Sequence, residues 1–191
     1  MSLTTNAISQ MYRMNELVKQ KTIDLYNEGL RDEDIDVLIK AIGQNIAPEG
    51  LCLDGNKLTL ADGKLANAIA KNTTIKKLRL SYNNINDEGI KHLANALKEN
   101  NTLEVLDLGS NNIGDEGART IAEMLVANKS LQSIGLGDNN IGDEGAKCIA
   151  DMLAVNKTLQ WISLANNNIS DKGAESIAAS LVVNTMYEMY G

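Results

Sequence analysis

The stretch NNIGDEGA occurs twice without change, at residues 111–118 and 139–146, and near-copies begin at Asn83 and Asn167. Glycines at the start of a helix can cradle a phosphate through converging backbone N–H groups. Carboxylate and amide oxygens at close spacing can bind hard cations such as Ca²⁺. A third interpretation is that one architectural unit has been copied along the chain, and the residues around each copy separate these three.

A phosphate-binding loop is disfavoured by charge and spacing. The expected helix starts carry paired acidic residues, such as Asp115 with Glu116 and Asp143 with Glu144. These carboxylates would repel a phosphate. The stretch GLGDNN at 135–140 is one residue short of G-x-G-x-x-G, and the chain contains no G-x-x-x-x-G-K-[ST]. We therefore predict no nucleotide cofactor.

A metal site at the same stretch is disfavoured by its spacing. Asp138, Asn140 and Asp143 offer oxygen ligands. Their spacing does not match an EF-hand loop, and no bidentate Glu follows at the required distance. We expect instead that Asp at these positions caps a helix and that the following Glu complements the helix dipole. The prediction is that the chain binds no metal.

Catalytic residues are also not indicated. His92 is the only histidine, and the repeats place Thr120, Cys148 and Ser176 at the equivalent position. A variable position beside an apolar helical stripe is typical of a tolerated surface residue. Cys52 and Cys148 fall on different layers, more than three repeats apart, which is too far for a disulfide. We predict that this protein is not an enzyme.

The pattern L-x-L-x-x-N-x-I recurs every 28 residues, starting at Leu78, Leu106, Ile134 and Ile162. Two further copies start at Leu51, one residue out of step, and at Ile23, with Glu28 in place of the Asn. The alternating apolar residues predict a short strand with one face on the core. The Asn amide both donates and accepts, so stacked Asn side chains can satisfy the backbone groups of adjacent turns.

A helix is predicted after each strand and turn. In the copy that begins at Asp115, Ala118, Ile121, Ala122 and Leu125 form one apolar stripe at helical spacing. Gly in the first turn lets the helix pack close to its neighbour. The helices end near Asn, which tolerates the left-handed conformation of a helix C-cap. These residues are Asn100, Asn128, Asn156 and Asn184.

Stacking of such units fixes the architecture. Strands pack about 4.8 Å apart whereas a helix with side chains is about 10 Å across, so the stack must bend with its strands inside. We predict an α/β solenoid shaped as a horseshoe, with a parallel β-sheet on the concave face, α-helices on the convex face and about six 28-residue repeats. The whole chain, 1–191, is expected to be one domain: a capping helix at 1–21, repeats at 22–186 and a partial strand at 187–191.

The repeat resembles a leucine-rich repeat of the ribonuclease-inhibitor-like subfamily. The resemblance is carried by L-x-x-L-x-L-x-x-N-x-I followed by D-E-G-A, A-x-x-I-A and N-x-T-L, and it covers about residues 22–186. The same repeat type occurs in NOD-like receptors and in Ran GTPase-activating proteins. The resemblance implies a non-enzymatic binding scaffold as a class and leaves the partner open.

Composition limits the kinds of partner. The net charge is −7, which argues against nucleic acid and against anionic membranes, because both are bound by clustered Lys and Arg. No apolar run approaches the ~18–20 residues of a membrane-spanning helix. The first residues lack a secretory pattern, and two cysteines are too few for a disulfide framework. We expect a soluble, cytoplasmic protein.

Outward-facing strand positions are free of the repeat framework and line the expected concave face. Large and charged side chains concentrate in the first three repeats, whereas the later strands carry small residues and Trp161. Trp, Tyr and Arg dominate the energy of many interfaces. Trp161 either contacts a partner or covers the end of the sheet, and both alternatives stay open. The candidate partner-binding residues are Tyr26, Lys77, Arg79, Tyr82, Asp107 and Trp161.

Three functional hypotheses follow. The first is a scaffold that holds a protein partner in the concave groove. The second is a regulator of a small GTPase, by resemblance to the Ran activators, although only framework residues match. The third is a recognition fragment of a NOD-like receptor type protein. The strand expected at 187–191 has no polar cap after it, so we expect either weak self-association through its edge or a chain cut from a longer protein.

Overall fold

The structure is a computed structural model that describes residues 21–46 and 48–183. The described residues contain one parallel β-sheet of six three-residue strands, whose spatial order is the chain order. The strands are β1 (Thr22–Asp24), β2 (Gly50–Cys52), β3 (Lys77–Arg79), β4 (Val105–Asp107), β5 (Ser133–Gly135) and β6 (Trp161–Ser163). Each strand is followed by a helical segment before the next strand begins.

In the described ranges, six α-helices lie in a second layer, and consecutive helices pack against each other. They are α1 (Asp36–Gly43, after a 3-10 turn at Asp32–Ile35), α2 (Lys64–Lys71), α3 (Asp87–Glu99), α4 (Asp115–Ala127), α5 (Asp143–Leu153) and α6 (Asp171–Val183). This alternation confirms the predicted α/β solenoid of about six repeats. The capping helix expected at 1–21, apart from Lys21, and the strand expected at 187–191 lie outside the described residues.

The core lies between the two layers and is built from the repeated aliphatic positions. The central residue of β1 to β5 is fully buried, while Ile162 of β6 is half-buried at the last described strand. The predicted stripe of α4 is buried as well, including Ile121 and Leu125. Burying the same side of every strand leaves the alternate side chains on the opposite, concave face.

The strands pair in register, so equivalent residues of successive repeats form straight columns. The first concave column is Thr22, Gly50, Lys77, Val105, Ser133 and Trp161. The second is Asp24, Cys52, Arg79, Asp107, Gly135 and Ser163. Both columns agree with the arrangement that the sequence predicts.

A ladder of buried Asn side chains closes the turns after the strands, as predicted. The Nδ2 of Asn111 donates to the carbonyl oxygens of Leu80, Leu108 and Gly109 at 3.0–3.1 Å. Its Oδ1 accepts from the backbone N–H of Ile85 in the preceding repeat at 3.0 Å. Because these groups are buried and cannot reach water, the amide replaces the hydrogen bonds that solvent would supply.

A second Asn ladder follows the helices, and here the predicted backbone conformation is wrong. Asn100 and Asn128 are extended (φ −77° and −67°), not left-handed. The Nδ2 of Asn128 donates to the carbonyl oxygens of Leu97 and Asn100 in the preceding repeat, at 2.7 and 3.1 Å. Its Oδ1 accepts from the N–H of Leu131 at 2.8 Å. The side chain, rather than a special φ, makes Asn suitable at this position.

The Asp at the start of α3, α4 and α5 caps a different helix from the one predicted. Asp115 is the first residue of α4, but its Oδ1 accepts from the N–H groups of Gly142 and Gly145 at the start of α5, at 2.7 and 2.9 Å. Asp143 bonds the start of α6 in the same way, through Ser170. The carboxylates therefore link successive repeats instead of capping their own helices.

Close packing at the first helical turn confirms the role expected of its glycine. A Cβ on Gly117 would lie 2.5 Å from Oδ1 of Asp87 and 2.7 Å from Cγ2 of Ile113. The corresponding position of the next helix, Gly145, is equally close to Oδ1 of Asp115 (2.7 Å). The absence of a side chain lets the carboxylate of the preceding repeat reach the helix N-terminus.

Candidate protein-interaction surface

The six candidate residues lie on the concave face or at its rim. Lys77 and Arg79 are on β3, Asp107 is on β4 and Trp161 is on β6. Tyr26 and Tyr82 lie in the turns that follow β1 and β3. Lys77, Arg79 and Asp107 are on neighbouring strands, whereas Trp161 is separated from Asp107 by β5.

Arg79 is held in place by a buried carboxylate on the neighbouring repeat. Its Nη2 lies 2.6 Å from Oδ2 of Asp54, whose side chain is 2% exposed. Oδ1 of Asp54 also accepts from the N–H of Ser81 at 2.8 Å. Partial burial lowers the pKa of Arg79, but the combined attraction of Asp54, Cys52 and Asp107 outweighs this effect and the net direction is upward. Asp54 is thus hidden from solvent and acts as the support of Arg79.

Cys52 lies beside the same carboxylate. Its Sγ is 3.7 Å from Oδ2 of Asp54. Burial raises the pKa of the Cys52 thiol, and the adjacent negative charges of Asp54 and Asp24 raise it further. A raised pKa lowers the thiolate fraction at neutral pH, and the thiolate is the nucleophilic form. Cys52 is therefore a poor candidate for nucleophilic chemistry.

The carboxylate of Asp107 extends over the next strand. Its Oδ1 accepts from the N–H of Gly109 at 3.2 Å. A Cβ built on Gly135 would be only 2.6 Å from the same oxygen, so the carboxylate occupies the space above β5. Among the described residues Asp107 forms no ion pair.

Three aromatic side chains are unusually exposed. Tyr26 is 62% exposed, Tyr82 is 66% exposed and Trp161 is 54% exposed. All three belong to the predicted set. Large aromatic groups are normally buried in folded proteins, and exposed ones near a shared surface are typical of binding sites.

Tyr82 also has a strained backbone. Its φ is +55°, and the equivalent residue in every other repeat of the described chain also has a positive φ, between +52° and +71°. Those equivalents are Asn27, Gly55, Ser110, Asp138 and Asn166. Glycine and short polar residues tolerate the left-handed region, whereas a bulky residue there is uncommon and costs energy. The sequence analysis missed this feature of Tyr82, and the signal that could have found it is the frequency of Asn, Gly and Asp at the equivalent positions.

The described residues offer little for other chemistry. No group of three or more His, Cys, Asp or Glu among them is placed to hold a metal ion. His92 is half-buried, with its Nδ1 packed against Gly63 on the helical side of the molecule. No helix in the described part of the chain has the length and apolar character needed to cross a membrane.

Comparison with known proteins identifies the protein family to which this repeat architecture belongs. A family model described as Leucine Rich repeat matches residues 71–94, 99–122, 127–150 and 155–178. The chain therefore belongs to the leucine-rich repeat family. A search of curated proteins gives no significant match.

Solved structures with the same fold include two domains at low sequence identity. One is named "Leiomodin-1 Actin-Binding Site 2 (ABS2)", with TM-score 0.68 and 22% identity over 79% of this chain and 89% of that chain. The other is the tropomodulin C-terminal domain of Caenorhabditis elegans, with TM-score 0.62 and 15% identity over 80% and 93%. At these identities the likeness establishes the fold. Neither match distinguishes the ribonuclease-inhibitor-like subfamily, which stays a prediction.

Proposed function

We propose that this protein is a non-enzymatic scaffold that binds a protein partner on its concave face. The contact residues in this proposal are Tyr26, Lys77, Arg79, Tyr82, Asp107 and Trp161. The leucine-rich repeat fold supports the proposal because its sheet presents a broad, preformed surface whose side chains are not needed for the core. The net charge of −7 disfavours nucleic acid as the partner.

The observation that carries this proposal is the combination of exposure and strain at Tyr82. Its ring is largely open to solvent, so folding gains little from it, and its φ of +55° disfavours folding. Five other repeats hold residues better suited to this conformation. Strain without a packing benefit is typical of residues retained for function. Tyrosine suits such a role because it contributes a large contact area and a hydroxyl.

In this proposal, the charged residues fix the orientation of the bound partner on the concave face. Arg79 keeps most of its guanidinium accessible while Asp54 fixes its position, so little side-chain entropy is lost when a partner binds. Lys77, on the same strand, is exposed and forms no ion pair among the described residues. Together they make β3 the basic strand of the surface, with Asp107 as its acidic neighbour.

Trp161 has two interpretations, and its surroundings favour binding. In the described structure its neighbour across the sheet in the same column is Ser133, which is too small to cover an indole. A Trp that only sealed the sheet would be expected to lie against larger apolar groups. Half of its surface stays open instead, which supports a contact with a partner.

Affinity purification with quantitative mass spectrometry tests the proposal. The full chain is compared with Tyr82→Asn, with Trp161→Ala and with Asn95→Ala, an exposed residue of α3 on the opposite layer. We expect the same proteins to be recovered by the wild type and Asn95→Ala and to be depleted by both concave variants. Recovery that is unchanged in the two concave variants together would reject the concave face as the binding surface.

Candidate partners can be assayed directly. The name of the leiomodin-1 domain makes actin one candidate, tested by co-sedimentation of the full chain with filaments and by binding to monomers. Regulation of a small GTPase and a role as a fragment of a NOD-like receptor type protein stay alternatives. Flat GTP-hydrolysis rates with a panel of small GTPases would remove the first of these. Cytoplasmic location and weak self-association also stay predictions, tested by imaging and by sedimentation.

A further inference from the structure

The concave face between Asp107 and Trp161 carries small residues. These are Ser133 and Gly135 of β5 and Ser163 of β6. Asp107 stands on β4 and Trp161 on β6, so their strands are about 10 Å apart across the sheet. The two residues are diagonal to each other, because Asp107 is in register with Gly135 and Ser163 whereas Trp161 is in register with Ser133. We call this feature, made of Asp107, Ser133, Gly135, Trp161 and Ser163, the β5 patch.

The acidic side chain of the β5 patch is oriented toward β5. The Oδ1 atom of Asp107 lies above Gly135, at 2.6 Å from the site of a Cβ that this glycine lacks. Arg79, the nearest basic residue across the sheet, is directed to Asp54 instead, at 2.6 Å. Asp107 accepts one backbone hydrogen bond, from Gly109, and no ion pair involving it occurs in the described residues. Its carboxylate therefore retains capacity to accept from an incoming donor.

The other side of the β5 patch is the exposed indole of Trp161. The face of an indole attracts cations more strongly than any other aromatic side chain, and Arg is the commonest protein partner. Guanidinium groups also stack on aromatic rings and bind a carboxylate through two parallel hydrogen bonds. A carboxylate on one side and an aromatic ring on the other are together complementary to a guanidinium group.

We propose that the β5 patch binds an arginine side chain of the protein partner, with the guanidinium on Asp107 and its plane against Trp161. This inference rests on the proposed function and specifies the partner's chemistry at one point of that surface. The small residues of the patch leave room for the group, and Gly135 in particular lets the carboxylate of Asp107 lie where it does. The net charge of −7 favours encounter with a basic partner.

The neighbouring charges are of both signs, with an acidic residue in the repeat of β5 and basic residues on β3. Asp138, at the rim of the same repeat as β5, adds a further negative charge, and its Oδ1 accepts from Nδ2 of Asn166 at 2.9 Å. Lys77 and Arg79 lie on β3, on the far side of Asp107. A partner carboxylate would meet these basic residues instead, and it would be repelled from the β5 patch.

Peptide display gives a direct test, because the partner is unknown. A library of random linear peptides is selected on the immobilised full chain, and selected peptides are measured by fluorescence, since Trp161 is the only tryptophan. We expect enrichment of Arg and a change in Trp161 emission on binding. Asp107→Asn should weaken an Arg-containing peptide about tenfold or more, and replacing its Arg by Lys should weaken it less. Asn95→Ala is the control and should bind as the wild type does.

Two further variants separate charge from shape. Selection on Asp107→Lys should enrich acidic peptides in place of basic ones. Gly135→Ala should weaken the Arg peptide severalfold because the new methyl group displaces the carboxylate, and circular dichroism checks that the fold is retained. The inference is overturned if no basic peptides are enriched or if Asp107→Asn binds the Arg peptide within twofold of wild type. Loss of binding in Tyr82→Asn with no dependence on Asp107 would overturn this inference and leave the proposed concave surface intact.

Discussion

The carboxylate of Asp54, in the turn after β2, lies 2.6 Å from the guanidinium of Arg79 on β3. The carboxylate is buried and the guanidinium is mostly exposed, so one end of the ion pair belongs to the core and the other to the surface. Arg79 therefore has two roles: it satisfies a buried acid and it presents a cation to the concave face. Experiments on binding have to separate these roles.

Replacement of Arg79 should cost stability as well as binding. Arg79→Ala leaves the buried carboxylate of Asp54 without its charged partner, and we expect unfolding free energy to fall by about 1–3 kcal/mol. Lys77→Ala, on the same strand, should change it by less than about 0.5 kcal/mol, because that side chain is exposed. Urea unfolding monitored by circular dichroism gives both values. Equal effects of the two substitutions would contradict a supporting role for Arg79.

Replacement of Tyr82 should have the opposite effect on stability. Tyr82→Asn places a residue that tolerates positive φ at φ +55°, and we expect a gain of about 0.5–1.5 kcal/mol, or a few degrees in Tm. Tyr26→Asn is the matched control, because Tyr26 is exposed to the same extent and is not in the left-handed region. Only the first substitution should stabilise the protein. A loss of stability in Tyr82→Asn would show that the ring packs usefully in the folded chain.

The repeat framework could be predicted because each of its residues acts through a local, repeated rule. Alternating aliphatic residues give the strand, helical spacing gives the stripe of Ile121 and Leu125, and the amide of Asn111 bonds the turn. Since every copy repeats these residues, the six copies together support one fold prediction that a single copy would support only weakly. The two concave columns follow from the same periodicity, and so the positions of Lys77, Arg79, Asp107 and Trp161 could be placed in advance.

The direction of individual side chains could not be predicted, because it depends on contacts between repeats. The sequence indicates a capping role for Asp115, but only the stacking distance shows that it caps the following helix. The burial of the Asp54 carboxylate depends on its contact with the guanidinium of Arg79, which extends from the next strand. The positive φ of Tyr82 becomes apparent only when this position is compared with the equivalent positions of the other repeats, which carry Asn, Gly, Ser or Asp. Each of these features arises from how one repeat meets the next.

The Asn ladder should be sensitive to a single truncation. Asn111→Ala leaves the buried N–H of Ile85 without its acceptor and removes one of the two amide hydrogen bonds to the carbonyl oxygen of Leu80, the other coming from Asn83, and we expect a loss of about 1–3 kcal/mol. Asn112→Ala, at the adjacent exposed position, should change stability by less than about 0.5 kcal/mol. Urea unfolding of the two variants measures the difference. A small effect at Asn111 would mean that water replaces the amide in the turn.

The glycine of the first helical turn should not accept a methyl group. Gly117→Ala brings a Cβ to 2.5 Å from Oδ1 of Asp87 and 2.7 Å from Ile113, so the helix must shift, at a cost of about 1–3 kcal/mol. Gly43→Ala is the control at the end of α1, where no atom lies within 4 Å of the new methyl group. That substitution should be neutral or stabilising, by up to about 1 kcal/mol, because Ala has the higher helix propensity. Thermal unfolding distinguishes the two, and a neutral Gly117→Ala would contradict close packing.

The link between the last two described helices should depend on pH. Hydrogen bonds from the hydroxyl and N–H of Ser170 lower the pKa of Asp143, and the N–H of Gly173 contributes in the same direction. A lowered pKa in the folded state means that the carboxylate stabilises the fold above its ordinary pKa of about 4 and that this contribution is lost as pH falls through the lower, folded-state pKa.

Asp143→Asn should therefore lower the urea midpoint at pH 7 and at pH 5, and its difference from wild type should shrink as pH falls below about 4. Asp171→Asn is the control, since Asp171 is exposed at the start of α6 and has no ion pair among the described residues. It should leave the urea midpoint at pH 7 nearly unchanged. Hydrogen exchange at the amides of Ser170 and Gly173 should accelerate in Asp143→Asn alone. A difference that keeps its full size at pH 2 would show that the charge of Asp143 is not what holds α6 to the preceding repeat.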